Sequence, residues 1–165
     1  MADHDALTGL LSRRSLLTQL DQFVDDGYQH EIVILFCDLD GFKQINDRVG
    51  HAAGDQVLIE VARRLERSIR PGDLLGRLGG DEFVVVLPRA DTTTAEAIAA
   101  QIRYALTEPI FAADQLLELD VSIGSATTGD SPTAARLLAT ADDAMYAVKH
   151  SRQRRALHSR KPSHS

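Results

Sequence analysis

Two periods of apolar residues alternate along the chain and predict its elements in order. Leu16, Leu20 and Phe23/Val24 stand at helical spacing over residues 12–26. Gly27 ends that helix, and Asp5-Ala6-Leu7-Thr8-Gly9-Leu10 is a turn ahead of it. Ile32-Val33-Ile34-Leu35-Phe36 then runs without a polar break inside residues 31–37, which predicts a central strand buried on both faces. The run stops at Asp38-Leu39-Asp40. A short helix over 41–49, a break over 50–55 and a longer helix to residue 69 follow. Val57/Leu58, Val61 and Leu65 form the inner stripe of the longer helix, with Arg63, Arg64, Glu66 and Arg67 toward water. Pro71-Gly72 marks a turn, and residues 74–78 and 83–87 make a hairpin around Gly79-Gly80. Thr93-Thr94-Ala95-Glu96 reads as a capping box opening a helix through Ile98, Ile102 and Leu106, closed by Pro109. Residues 116–126 read as a strand. Ser131 as N-cap, with Pro132 at the first helical position, starts the last helix, whose stripe is Leu137/Leu138, Ala141, Met145 and Val148.

The order is helix, strand, helix, helix, hairpin, helix, strand, helix. Strands joined partly by a hairpin and partly by helical crossovers imply an α/β (α+β) fold. The expected arrangement is a mixed central sheet with flanking helices, ferredoxin-like or polymerase-palm rather than doubly wound and parallel.

Composition narrows the function classes. A chain of 165 residues makes one domain with a real core. No apolar run approaches membrane-spanning length, and no hydrophobic segment follows Met1-Ala2-Asp3-His4-Asp5, so a soluble segment with no membrane contact is expected. Cys37 is the single cysteine, which excludes an internal disulfide and fits a reducing, cytoplasmic compartment; in its apolar run it reads as core. The net charge of −6 argues against nucleic acid as a partner through a broad basic face. An acidic protein still binds a polyphosphate where a metal or a local cation cluster offsets the repulsion. Basic residues gather late: Lys149, Arg152, Arg154, Arg155, Arg160 and Lys161. Apolar periodicity ends near Ala156, so the domain is set at residues 1–156, with 157–165 a basic tail or the start of a linker, expected to be disordered.

The chemistry concentrates at two places. The buried first strand ends in Asp38-Leu39-Asp40, and the hairpin tip carries Gly79-Gly80-Asp81-Glu82. Gly-Gly supplies positive φ and no side chains, so a phosphate or ribose can approach the backbone. An ordinary polar hairpin tip is the alternative for a lone Gly-Gly, and solvated loop is the alternative for the acids. Two acid pairs, each abutting a buried strand, favour a hard cation among them, because clustered carboxylates repel and Mg²⁺ takes one or two carboxylates plus water and phosphate oxygens. In the short helix Lys43, Asn46 and Asp47 share a face. Lys43-Asp47 also reads as a surface ion pair. Asn46 presents a donor and an acceptor suited to a base edge or ribose. Asp55 suits the N–H groups of guanine's Watson–Crick edge, with helix-start capping as its alternative.

The ordered set of motifs resembles the GGDEF domains of bacterial diguanylate cyclases, which condense two GTP into cyclic di-GMP. The resemblance runs from Asp5 to about Lys149: Asp5-x-Leu7-Thr8-Gly9-Leu10 with Arg13-Arg14, then Asp38-Leu39-Asp40-Gly41-Phe42-Lys43 through Asn46-Asp47. Gly50-His51-x-x-Gly54-Asp55, Arg77-Leu78-Gly79-Gly80-Asp81-Glu82-Phe83, Ser122-Ile123-Gly124 and Ala141-Asp142 through Met145-Tyr146-x-x-Lys149 complete it. The fold it implies is the nucleotidyl-cyclase palm. It implies that Asp38, the Leu39 carbonyl and Asp81 hold Mg²⁺ (or Mn²⁺), that Glu82 lies beside the metal, and that Asp81 is the base for the attacking 3′-hydroxyl. Lys43 would stabilise charge on the triphosphate. Asn46 and Asp55 would read guanine, with His51 in the substrate-binding set; Gly79 and Gly80 would admit the phosphates, and Lys149 would reach the terminal ones.

One domain holds one GTP, so the resemblance implies a homodimer with two-fold symmetry for catalysis, within a longer parent chain carrying sensory or other signalling domains. Arg70-Pro71-Gly72-Asp73 stands five residues ahead of Gly79, the spacing of the family's inhibitory site for cyclic di-GMP. A turn with a local ion pair is the alternative there. One departure stands out: the phosphate-gripping arginine expected at position 153 is Gln153, with Arg152 and Arg154 as candidate replacements. The rival functions are a GTP- or cyclic di-GMP-binding module without turnover and a mononucleotide cyclase.

Overall fold

The computed structural model describes residues 3–26, 31–129 and 133–159. Its elements are β1 (Leu11–Ser12), α1 (Arg13–Asp25), β2 (Val33–Asp40), α2 (Phe42–Val49), α3 (His51–Ser68), β3 (Leu74–Gly79), β4 (Glu82–Leu87), α4 (Thr92–Thr107), β5 (Ile110–Ala112), β6 (Gln115–Leu117), β7 (Asp120–Thr127) and α5 (Ala134–Ser159). A five-stranded sheet has the order β1-β3-β4-β2-β7. Its last four strands are antiparallel to their neighbours, while β1 joins β3 in parallel, which makes the sheet mixed. The β2–α3–β3–β4–α4–β7 unit is the expected ferredoxin-like arrangement.

The apolar run of β2 is explained by cover on both sides. Val33, Leu35, Cys37 and Leu39 pack into one cluster with Ile45 of α2, Val57, Val61 and Leu65 of α3 and Ile98 and Ile102 of α4. Ile34 and Phe36 alternate into a second cluster with Leu16 and Leu20 of α1 and Leu137, Ala141 and Met145 of α5. By the same alternation Asp38 continues the Ile34–Phe36 side, beneath α5.

Two departures from the sequence reading position the site. β2 does not stop before its acids: pairing with β7 continues to Asp40 opposite Asp120, so the strand outruns its apolar stretch by three residues. The break expected over 50–55 is Gly50 alone, at φ 91° and ψ 164°, and α3 begins at His51. Gly54 and Asp55 are therefore helical, and Asp55 stands past the capping position.

Other corrections are local. Asp91, not Thr93, caps α4, its carboxylate accepting from Thr94 N–H at 2.8 Å; aspartate is the better cap and starts the helix two residues earlier. Arg64 does not face water: its guanidinium donates to the carbonyls of Ala105 and Pro109 at 2.9 and 3.2 Å and to that of Glu108, closing the C-terminus of α4. The strand expected over 116–126 is split, and its first part pairs with β5 through Ala113 and Asp114, both at positive φ as a type I′ turn requires. Gly27, Ser131 and Pro132 lie outside the described residues; Thr133 Oγ1 accepts from Arg136 N–H in the first described turn of α5. α5 continues to Ser159, three residues past the boundary expected at 156.

Candidate active site

Three strands gather the acids at one end of the sheet. Asp38 lies directly across from Glu82 on β4 and from Ser122 on β7, and the β3–β4 turn sets Asp81 just before Glu82. That turn carries a register shift between Arg77 and Gly79, with Gly79 at φ 151° and Gly80 at φ 47°, where a side chain would strain the backbone. Leu39 N–H donates to the Asp81 carbonyl at 3.2 Å, which ties the tip to β2. Arg77 holds the tip from the other side. Its Nε donates to the Gly80 carbonyl at 2.9 Å, and its Nη1 reaches the two carboxylate oxygens of Asp5 at 3.0 and 3.1 Å. Asp5 in turn accepts from the N–H and hydroxyl of Thr8 at 2.9 and 2.7 Å. Burial works against its charge, yet those bonds and Arg77 hold its carboxyl below the usual range.

The acids are short of positive charge. Like charges directly opposite on neighbouring strands destabilise a sheet, and Asp38 is only 7% exposed. Burial, and then the neighbouring Asp38 carboxylate, push Asp81 up to about 6. Burial also raises Glu82, helped by Asp142 and Asp38. Asp38 Oδ2 accepts from Lys149 Nζ at 2.8 Å, whereas Oδ1 is buried without a hydrogen-bond partner. Burial of Lys149 opposes its charge, but the bond to Asp38 and the charges of Asp38, Asp40 and Asp81 push the ammonium up.

Lys149 reaches Asp38 because α5 lies unusually close to β7. A Cβ at Gly124 would stand 2.0 Å from Met145 N and 2.5 Å from the Ala141 carbonyl oxygen. Only glycine lets helix and strand backbones approach so closely. A similar device shapes the α2–α3 corner: a Cβ at Gly54 would fall 1.7 Å from Asn46 Oδ1, a buried acceptor with no partner.

An open cleft of about 710 Å³ lies beside the acids, lined by Leu39, Asp40, Gly41, Lys43, Asp81, Lys149, Arg152, Gln153 and Arg155. Cations and carboxylates thus share one wall, as an anion carried with a metal requires. Asp38, Leu39, Asp81, Glu82 and Lys149 meet at the sheet end, and Lys43 stands exposed on the cleft wall. Among the described residues no ion pair joins Lys43 to Asp47. Gly79 and Gly80 are exposed at the tip, and His51 and Asp55 are exposed on the first turns of α3, Asp55 following the Gly54 against which Asn46 packs. Arg70 and Asp73 lie apart, at the entry to β3. Arg70 Nη2 donates to Asp73 Oδ1 at 2.9 Å and to the Pro88 carbonyl at 3.0 Å, and the Asp73 side chain is 1% exposed.

Sequence reasoning gave no role to the Asp5–Arg77 pair, whose partners are 72 residues apart and share no spacing signal. It also missed what Arg152 does. Arg152 Nη1 donates to the Val121 carbonyl at 2.7 Å and lies 3.2 Å from Asp120 and 3.5 Å from Asp40, whose Oδ2 also accepts from Ser122 at 2.7 Å. Its guanidinium therefore closes the cleft wall. Arg155, rather than Arg154, lines the cleft beside Gln153.

The residues fit a divalent cation. Asp38 offers an unmatched oxygen, Asp81 is pushed toward its protonated form by burial and by the Asp38 charge, and the two belong to one cluster. Among the described residues no three or more His, Cys, Asp or Glu side chains form a complete metal cage. Two carboxylates suffice for Mg²⁺ when phosphate oxygens and water complete the shell.

The chain is similar to known proteins over nearly its whole length. The diguanylate cyclase TpbB of Pseudomonas aeruginosa is 42% identical over 153 residues, 90% of this chain and 35% of that protein. A sensory box/GGDEF family protein from Caulobacter crescentus superposes with a TM-score of 0.86 at 38% identity, covering 91% of this chain and 99% of that one. The GGDEF domain of DgcB from Caulobacter crescentus, solved in complex with c-di-GMP, gives a TM-score of 0.84 at 29% identity, covering 92% of each chain. The chain spans about 22% to 38% of the length of the curated relatives it matches. The family model described as "Diguanylate cyclase, GGDEF domain" matches residues 2–155, and the chain belongs to that family.

Proposed function

We propose that this domain is a diguanylate cyclase that condenses two GTP into cyclic di-GMP and two pyrophosphate, using Mg²⁺ or Mn²⁺, across a two-fold pair of domains in the cytoplasm. The observation that carries the reading is the buried, unmatched Asp38 Oδ1 beside an Asp81 carboxyl raised to about 6. Asp38, Asp81 and the Leu39 carbonyl would hold the cation, with Glu82 alongside. When bound, the metal neutralises charge developing on the α-phosphate and leaving group and lowers the pKa of a coordinated hydroxyl.

The chain's own residues supply position and proton transfer. Asp81 takes the 3′-hydroxyl proton as the oxygen bonds to the α-phosphorus and the bond to pyrophosphate breaks. Lys43 and Arg155 face the triphosphate across the cleft, and Lys149 reaches it from α5. The unmatched Asn46 Oδ1, with Asp55 on the adjacent turn, suits the N–H donors of guanine. Gly79-Gly80 let phosphate lie against the backbone. Two bulky anions gain most from being held in line, and a second copy of the domain brings the second GTP. The short share of each relative supports reading the chain as one domain of a longer signalling protein.

A second reading concerns regulation. Arg70 and Asp73 are proposed to bind cyclic di-GMP as inhibitory product; the GGDEF domain of DgcB, a similar structure, binds c-di-GMP. The guanidinium would exchange its Asp73 partner for guanine O6/N7.

Incubation with GTP and Mg²⁺ followed by chromatography tests the main reading. Cyclic di-GMP from the wild type and none from Asp81→Ala is expected. Cyclic GMP would indicate a mononucleotide cyclase, and bound but unconverted GTP a binding module. Turnover by Asp81→Ala at near wild-type rate overturns the assignment.

A further inference from the structure

We propose that Lys149 is a built-in counter-ion to Asp38 that the divalent cation must displace, and that the displaced ammonium is thereby delivered to the cleft. The inference rests on the reading of Asp38 and Asp81 as the cation site and concerns how that site is loaded. Lys149 Nζ sits 2.8 Å from Asp38 Oδ2, against a carboxylate whose side chain is 10% exposed, so the pair is shielded from the screening that weakens surface ion pairs. The same ammonium is attracted by Asp40 and Asp81. A cation held by Asp38 and Asp81 brings two positive charges next to the ammonium, and the repulsion between them weakens the Lys149–Asp38 pair.

The helix cannot yield, because the Gly124 contact fixes α5 against β7 backbone to backbone. The flexible four-carbon stem can. Lys149 is 30% exposed and already lines the 710 Å³ cleft, so rotation of the stem carries the ammonium outward to the side of Lys43 and Arg155. Metal arrival and readiness for a polyphosphate are then one event. By linkage, whatever draws Lys149 into the cleft tightens metal binding by the same factor.

This assigns Lys149 a behaviour opposite to that of a lysine that only grips phosphate. Mn²⁺ titrated calorimetrically into the nucleotide-free protein is the test. Lys149→Met removes the competitor and should tighten Mn²⁺ binding roughly tenfold, the equivalent of one shielded ion pair, while Lys149→Arg keeps the charge and stays near wild type. The same Lys149→Met change should weaken binding of the GTP–Mn²⁺ complex. Nucleotide-free Mn²⁺ affinity unchanged or weaker in Lys149→Met overturns the proposal. The wild type gives an independent check: the Lys149 side-chain ¹⁵N resonance should shift on Mg²⁺ titration before any nucleotide is added, and a resonance that stays put overturns the exchange whether or not the methionine variant folds. Asp38→Asn separates the two levels, since undiminished Mn²⁺ binding there refutes the cation site itself.

Discussion

Gly124→Ala tests whether the closeness of α5 to β7 is what makes the site. The added Cβ would meet Met145 N at 2.0 Å, the Ala141 carbonyl oxygen at 2.5 Å and Ala144 C at 2.6 Å. Non-bonded heavy atoms rest at roughly 3.5 Å or more, so relief needs about 1–1.5 Å of separation. All three atoms are helix backbone, and no rotamer change can relieve them; α5 must move as a body. Overpacking of this kind costs about 1–3 kcal/mol. A shift of that size also stretches the 2.8 Å bond from Lys149 to Asp38 past hydrogen-bonding range. Misplacing a positioned group by about 1 Å can lower turnover roughly 10²-fold. Urea unfolding monitored by circular dichroism and initial rates of cyclic di-GMP formation read the two effects. An alanine variant with wild-type stability and rate would refute the reasoning.

Lys43→Ala should lower kcat roughly 10²–10³-fold in the GTP assay with unfolding unchanged, because it stabilises charge from an exposed position; an unchanged rate demotes it to surface. Arg155→Ala should raise KM for GTP while leaving the Mn²⁺ affinity of the nucleotide-free protein alone. Asp81 is raised to about 6, so folding favours its protonated form: its contribution to stability is present below the ordinary carboxylate pKa and lost as pH rises through about 6. Metal must displace that proton, so Mg²⁺ affinity measured calorimetrically should climb by up to about tenfold per pH unit below 6 and level off above it. A flat profile from pH 5 to 7 contradicts the shared site. Arg70→Ala should abolish calorimetric binding of cyclic di-GMP away from the active site, and undiminished binding there ends the inhibitory reading.

The elements legible in the sequence were those whose signal is local and periodic. The apolar run of β2 and the stripes of α3 and α5 declared themselves because each residue's burial repeats at the period of its own element. Boundaries set by partners did not. β2 runs on through Asp38 and Asp40 because β7 pairs with it that far, and nothing within residues 31–40 says so. The β5–β6 hairpin turns at Ala113-Asp114, residues that adopt positive φ less readily than the Asn-Gly or Gly-Gly that announce such a turn. The acid cluster could be read because its members end adjacent buried strands. The Arg77 buckle to Asp5 could not, nor could the engagement of Arg152 by Asp40, Asp120 and the Val121 carbonyl, since both depend on which chain segments the fold lays side by side.

A crystal of the domain soaked with Mn²⁺ and a non-hydrolysable GTP analogue, examined for anomalous scattering at the manganese edge, tests the central claim most directly. The expected result is a manganese peak within coordination distance of Asp38 and Asp81, about 2.2 Å from the oxygens, with Lys149 turned away from Asp38. Manganese bound elsewhere on the protein, with the Lys149–Asp38 pair intact beneath a seated nucleotide, would contradict it.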